Sequence, residues 1–435
     1  MNIYITGLSS GYEVEHLVRL FYPMAPLTLT PPEEGTDCVW AEKRPDSLWT
    51  MVRQGGKSQT AEAPLPAPAE EGGETPEFAL ASLTYDLLRR WTGIRPPWGK
   101  MTGVRPVRLV HDKRAAGWTE EQIDDFFLGR FDCSPEKYGM AKAIADLQEP
   151  ILKAGSAPKT YSLYIGIPFC PSRCSYCSFV SHSVDHAAAR LEEYLAKMTE
   201  EMKQLATISR HLGLIPDTIY FGGGTPTVLS VEQLKRLFAA LEYFDLSHIR
   251  EFTVEAGRPD TITAEKLLAI KQAGAGRVSV NPQTMNDSVL KAIGRAHTSE
   301  QTEQAFLTAR EVGFDVINMD LIAGLPTDDF DSFAASLDTV CGLSPENITV
   351  HSLALKRAAR LFHEGAGSAV GETERMIDYA HKKLAECGYI PYYLYRQKNT
   401  ADNQENTGYA RPGTESLYNT YIMEELQTIL AVGAG

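Results

Sequence analysis

Three cysteines stand within one short run, Cys170-Pro-Ser-Arg-Cys174-Ser-Tyr-Cys177, directly after an apolar segment, Tyr161–Ile167, that reads as a strand. Thiolates at C-x3-C-x2-C can hold three irons of a four-iron cluster. The fourth iron then has no protein ligand and is open to a substrate atom. A structural zinc site is the alternative, but it takes four closed ligands. No second cysteine pair follows at zinc spacing, and Cys341 and Cys387 lie far off on expected helices. Seven cysteines, clustered only here, fit reduced thiols in a cytoplasmic compartment better than a disulfide framework. A second feature is Phe221-Gly-Gly-Gly-Thr-Pro-Thr227, where glycines let the backbone approach a ligand and offer amides to a carboxylate. Alone, such a loop is as readily a plain turn. Beyond it, single polar residues stand at or after expected strands: Glu255, Gln283, Arg295 and Asp320.

These residues need a frame, and the chain supplies one. Expected strands are Tyr161–Ile167, Asp217–Phe221, Glu251–Glu255, Arg277–Val280, Asp315–Leu321 and Asn347–Ser352, separated by amphipathic helical stretches. Six strands alternating with helices argue an α/β fold with a parallel sheet, open or closed into a partial barrel. In such folds chemistry sits at the C-terminal strand ends, where every motif above falls. Ahead of the barrel, residues 1–53 read as a small α/β unit with a strand at Asn2–Thr6 and a helix around Val14–Phe21. Residues 54–77 are rich in Pro, Ala, Gly and Glu and read as a flexible linker. Residues 78–155 read as a helical connector, 156–395 as the barrel, and 396–435 as the start of a C-terminal region. Leu430–Gly435 resembles a glycine turn that in similar proteins continues into a longer region, so the C-terminal region is expected to be truncated there.

A formal charge of −14 over 435 residues argues against a nucleic-acid-coating surface. No run of 18 apolar residues exists, so no membrane span is expected, and the Met1-Asn2-Ile3-Tyr4 start lacks the parts of a secretory signal.

The cysteine spacing, with an aromatic before the third cysteine, resembles the radical S-adenosylmethionine (SAM) superfamily. The entry strand Tyr164-Ile-Gly-Ile-Pro-Phe-Cys170 is similar to that of the oxygen-independent coproporphyrinogen III oxidase family. The flanks TGVRPVRLVH and YYLYRQKN…GYARPG are most like its HemZ branch. The resemblance implies a partial (β/α)6 barrel of the radical SAM type, a 4Fe–4S cluster on Cys170, Cys174 and Cys177, and SAM as cofactor. It implies that Gly223, Gly224 and Thr225 contact the methionine part of SAM and that Glu255 takes the ribose. Gln283, Arg295 and Asp320 would line the rest of the pocket, Arg295 as a fork on the cofactor carboxylate. Tyr164 and Tyr176 would stack on or hydrogen-bond the cofactor, a core aromatic being the alternative for each.

The activity implied is coproporphyrinogen III dehydrogenation, two propionates becoming vinyls, with a reductant such as flavodoxin or ferredoxin. A porphyrinogen tetra-anion calls for basic side chains, for which Arg105, Arg108, Lys356, Arg357 and Arg360 are the candidates, a solvated surface charge being the alternative for each. Two departures stand out. The oxidase proper has a fourth cysteine where this chain has Phe179. The family's haem chaperone has His-Asn-x-x-Tyr-Trp where this chain reads Tyr418-Asn419-Thr420-Tyr421-Ile422-Met423. A haem-binding carrier is therefore the second reading, and a radical enzyme with another substrate the third.

Overall fold

The structure is a computed structural model. It describes residues 1–67, 74–103, 105–179, 182–356, 358–364, 371–397 and 400–434, without the side chains of 185–189. These residues divide into two compact units, 1–104 with 113–140, and 105–112 with 141–435.

The first unit carries a five-stranded sheet, in order β2-β1-β3-β4-β5: β1 (Asn2–Thr6), β2 (Leu27–Thr28), β3 (Cys38–Lys43), β4 (Ser47–Gln54) and β5 (Lys57–Pro64). Two helices, α1 (Tyr12–Arg19) and α2 (Pro76–Thr92), bury Val14, Leu17, Leu80, Leu87 and Leu88 with Ile3, Val39 and Val52 of the sheet. The expected linker 54–77 is thus corrected over Lys57–Pro64, which pairs antiparallel with β4 in register Ser47↔Pro64 to Gln54↔Lys57. As an edge strand it is held by backbone bonds, so its side chains stay exposed and its sequence carries no apolar signal. Residues 68–73 of that stretch lie outside the described residues. The helical connector is no unit of its own either. Of its helices α3 (Pro106–Ala115), α4 (Glu120–Asp124) and α5 (Pro135–Gly155), α4 belongs to the first unit and the others are divided between the two.

The second unit is built on six adjacent parallel strands: β6 (Thr160–Ile167), then, past a two-residue pair β7 (Phe169–Cys170) and β8 (His182–Ser183), β9 (Ile215–Gly223), β10 (Glu251–Gly257), β11 (Arg277–Val280), β12 (Val316–Ala323) and β13 (Asn347–Ser352). Helices α6 (Val184–His211), α7 (Val231–Ala239), α8 (Ala264–Gln272), the short α9 (Asp287–Ala292), α10 (Ser299–Val312) and α11 (Phe330–Leu343) make the crossovers. This is the partial (β/α)6 barrel.

Strand alternation explains its chemistry. Leu163, Ile165, Ile219, Phe221, Val254, Val278, Ile317, Met319, Ile348 and Val350 pack outward under the helices. The other set is mostly polar, with Thr218, Tyr220, Glu251, Thr253, Glu255, Arg277, Ser279, Asn318, Asp320, Asn347 and Thr349 turned the opposite way.

After α12 (Arg360–Glu364) and α13 (Glu372–Glu386), the sheet grows at both edges. The strands β14 (Ile390–Arg396) and β15 (Glu405–Ala410) join antiparallel beside β13. Past α14 (Leu417–Met423), β16 (Thr428–Gly433) joins parallel beside β6, from Thr428↔Tyr161 to Gly433↔Gly166. The region 396–435 is therefore corrected from a separate segment to part of the barrel sheet, and the expected glycine turn at its end is mostly strand.

Candidate functional site

Both ends of the barrel are polar, but they are built differently. At the N-terminal floor, Glu251 accepts from Ser416 Oγ (2.9 Å), Leu417 N (2.8 Å) and Tyr418 N (3.0 Å), and pairs with Arg277 Nε at 3.3 Å. Arg277 also donates to Asn347 Oδ1 and to Thr414 O (2.8 Å). The start of α14 is thereby pinned under the lumen, and Tyr418 is driven upward to stack on Tyr220 with centroids 4.3 Å apart. Tyr164 lies on the same pile, 6.1 Å from Tyr220.

At the C-terminal mouth, the chain leaving β6 carries the cysteines. Cys177 N donates to Cys174 O (3.2 Å), closing a turn, and Ser175 N donates to Ile293 O (3.0 Å). Arg258, 3% exposed, anchors the loop from below: its Nη1 donates to Ser172 O and Oγ while Asp260 neutralises it at 2.7 Å. Burial pushes the Cys177 thiol up, and the Cys174 and Cys170 sulfurs add to the push, so the three share one electrostatic neighbourhood. Among the described residues no three His, Cys, Asp or Glu side chains converge on a single ion. A four-iron cluster does not require that, because each thiolate takes a different iron. Three half-buried thiols on one short loop beside a glycine turn therefore fit such a cluster.

The glycine loop is laid directly on the cysteine strand. Gly224 N donates to Ile167 O and Thr225 N to Phe169 O, both at 2.8 Å, and Thr225 Oγ1 lies 3.5 Å from Cys170 Sγ. A Cβ on Gly224 would fall 2.5 Å from Phe169 O, and Gly223 sits at φ 103°, so both positions require glycine.

Glu255 faces the lumen two residues before the end of β10, beside a register shift against β11. Its Oε1 accepts from Tyr220 OH at 2.5 Å. Burial, with the charge of Asp320 nearby, raises its carboxyl to about 7 even though Tyr220 opposes the shift. Asp320 lies inside β12 rather than at its end. Burial works against its charge, but His351 (Nε2–Oδ2 3.9 Å) and Asn318 Nδ2 (2.7 Å) hold its carboxyl below the usual range. Gln283 is tied into that strand by backbone bonds, its N to Asp320 O and its O from Ile322 N, both 2.9 Å, at a φ of 71°. A side chain held at positive φ is strained and marks a constrained position.

The expected residues thus fall into three groups: Cys170 with Gly223, Gly224 and Thr225; Cys174 and Cys177 with Tyr176 and Arg295; and Glu255, Asp320 and Gln283 around the lumen with Tyr164. One expectation is corrected. Arg295 is no free fork, because Nη1 donates to Asn281 O (2.6 Å) and Nη2 to Tyr176 OH (3.1 Å). Burial opposes its charge, and Tyr176 and Cys174 keep it cationic.

Arg105 and Arg108 are corrected as well. Arg105 pairs with Glu425, and Arg108 donates to Glu424 O, just ahead of β16. They belong to the floor, away from the cysteines. Lys356 and Arg360 follow β13 and are exposed, while Arg357 lies outside the described residues. Sequence reasoning missed Tyr220, Arg258 and His351, and it marked Tyr418 only as a departure from the haem signature, not as a residue of the lumen. The signal for Tyr220 was a polar ring alternating with Ile219 and Phe221 in an otherwise apolar strand. Tyr418 and Arg258 carry no local signal.

A parallel partial barrel with a three-cysteine loop at its mouth defines a class, and the family model described as the radical SAM superfamily matches residues 164–340. Its cofactors, a 4Fe–4S cluster and SAM, are those of this protein. The oxygen-independent coproporphyrinogen-III oxidase-like protein HemZ of Bacillus subtilis is 41% identical over 367 residues, 82% of this chain and 72% of that one. The heme chaperone HemW of the same organism is 40% identical over 194 residues, 44% of this chain and half of its own length. Among solved structures, coproporphyrinogen III oxidase (HemN) from Escherichia coli aligns with a TM-score of 0.53 and 25% identity over 65% of each chain. The chain belongs to the family of oxygen-independent coproporphyrinogen III oxidase-like radical SAM proteins.

Proposed function

We propose that the protein is an oxygen-independent coproporphyrinogen III dehydrogenase of porphyrin and haem biosynthesis, oxidatively decarboxylating two propionates to vinyls to give protoporphyrinogen IX. With cluster and SAM bound, one-electron cleavage of SAM supplies a 5′-deoxyadenosyl radical able to take hydrogen from an unactivated carbon.

The chain's own residues divide the remaining work. Cys170, Cys174 and Cys177 hold three irons. The backbone at Gly223 and Gly224 and the Thr225 hydroxyl face the methionine part of SAM. Glu255, oriented by Tyr220, accepts the ribose hydroxyls. Asp320, with Gln283 fixed to its strand, completes the pocket. Arg295 keeps Tyr176 and the Cys174 turn in place. Tyr164 supports Tyr220 from the lumen side. Lys356 and Arg360 are the cations on the substrate's side of the sheet, and a flavodoxin or ferredoxin supplies electrons.

The observation that carries this reading over a haem carrier is Tyr418. It stands where the family's chaperones have the histidine of their haem signature, and here that position is 5% exposed and packed into the barrel lumen. A side chain enclosed there offers no axial ligand to haem.

The test is anaerobic turnover of reconstituted full-length protein with dithionite, SAM and coproporphyrinogen III, following 5′-deoxyadenosine and vinyl porphyrin together. Coupled appearance of both is expected. Deoxyadenosine without vinyl product discards the substrate, and neither product together with a stoichiometric Soret shift on haem titration selects the carrier.

A further inference from the structure

Two thiols that the cluster chemistry does not use meet on the outer helical layer. Cys341 lies in the last turn of α11 and Cys387 caps the end of α13. The helices pack side by side behind β12 and β13. Asp338 on α11 is bonded by Lys383 Nζ (2.8 Å) and Tyr379 OH (2.9 Å) from α13. Cys341 is three residues beyond Asp338 and Cys387 four beyond Lys383. One turn further along the same seam, the two cysteines therefore stand beside each other, close enough for the Cys387 sulfur to raise the Cys341 thiol.

The pair is unequal. Cys341 is buried, and burial together with the neighbouring sulfur pushes its thiol up to about 12. Cys387 is half-buried. Lys383, one turn before it, is tied to Asp338 at 2.8 Å, and Arg411 lies 4.6 Å from the ring centroid of the neighbouring Tyr389. The more accessible thiol meets an external sulfur first, and the buried, protonated thiol beside it is suited to follow.

We propose that Cys387 and Cys341 form a reversible dithiol–disulfide couple for low-molecular-weight disulfides of the glutathione type, Cys387 attacking and Cys341 resolving. In the first step the Cys387 thiolate bonds to one sulfur of R–S–S–R and expels RS⁻. In the second, Cys341 gives its proton to solvent, its sulfur bonds to that of Cys387, and the second RS⁻ leaves. One small disulfide is reduced to two thiols while two protein thiols are oxidised to one disulfide. The crosslink staples α11 to α13 behind the strands that carry Asp320 and His351, and it does not depend on which substrate the barrel takes.

Full-length protein is incubated anaerobically with oxidised glutathione, alkylated, digested without reduction and read by mass spectrometry. The expected product is the Cys341 peptide joined to the Cys387 peptide, lost on adding dithiothreitol. C341S is expected to retain glutathione on Cys387, and C387S to form neither the link nor an adduct at Cys341. Stable glutathione on wild-type Cys387 with no link, or no reaction at either residue, overturns the proposal. An adduct at Cys341 in C387S overturns the assignment of roles. The wild-type result stands without either variant.

Discussion

Glu251 and Glu255 sit four residues apart on β10 and face the same lumen, yet the fold treats them oppositely. Glu251 is saturated, with an arginine, a hydroxyl and two backbone amides around its two oxygens. Glu255 has a tyrosine hydroxyl and a Gly223 amide, and its ionisation is hindered by burial and by Asp320. A carboxylate that closes a barrel is given every partner it can use. One left short of partners at a strand's C-terminal end is poised to accept donors from a ligand. The floor is finished by protein, and the mouth is left to be completed.

The sharpest break at the mouth is Cys174→Ala. It removes a thiolate that also stabilises the Arg295 charge, and it should abolish both the cluster's visible absorbance and SAM cleavage while circular dichroism stays native. Iron-containing, active C174A protein would refute the ligand assignment.

At the floor, Glu251→Ala strands Arg277 in a buried site and frees the start of α14. A loss of about 3–5 kcal/mol in unfolding free energy is expected by denaturant titration. If E251A unfolds within about 1 kcal/mol of wild type, the saturated floor is not structural in the sense drawn here.

Glu255→Gln should do the reverse, sparing the fold and weakening SAM binding. The pH dependence follows from the raised carboxyl. Folded Glu255 keeps its proton up to about 7, whereas the unfolded group loses it near the ordinary glutamate value of 4.5. The group's contribution is therefore most favourable below pH 4.5 and declines as pH rises to 7, by at most about 3 kcal/mol. Glu424, buried and also raised to about 7, titrates in the same window, so the quantity to measure is the difference between wild type and E255Q melting curves across pH 4.5 to 7. Parallel curves would show that Glu255 is not a hindered acid.

Smaller still is Tyr220→Phe, which deletes one hydrogen bond to Glu255. It should raise the dissociation constant for SAM by roughly one order of magnitude, about 1.4 kcal/mol, with turnover at saturation nearly kept. Smallest is Arg105→Ala. Its partner Glu425 is 62% exposed, so stability should move by less than about 1 kcal/mol and the KM for the proposed porphyrinogen substrate should not move. A large KM effect would put Arg105 back at the substrate.

The six central strands were legible because each buries a β-branched or aromatic face under helices; Arg277–Val280 and Asn347–Ser352 are seen over the expected residues. The sheet's extensions were not. Glu405–Ala410 reads ENTGYA, which looks like a loop because both its faces are polar or small, yet every residue is buried beside β13. Lys57–Pro64 hid for the opposite reason, having nothing buried to signal.

At the site, cysteines and glycines were readable because spacing and backbone conformation are local properties. Arg295 was readable as a residue but not in its engagement, since Asn281 and Tyr176 reach it from other loops. Tyr418 was unreadable because its place depends on Glu251, 167 residues away along the chain.

The contact of Gly224 with Phe169 has a consequence for how such a protein can change over time. The glycine loop and the loop that carries the first cysteine touch chiefly through main-chain atoms, with two amide–carbonyl bonds and a single side-chain contact, Thr225 Oγ1 to Cys170 Sγ. Their separation is thus indifferent to what the surrounding side chains become. Residues that shape the rest of the cavity can be exchanged while the spacing of these two loops is kept by backbone bonds. The cavity is thus free to change around a spacing that side-chain exchange does not widen.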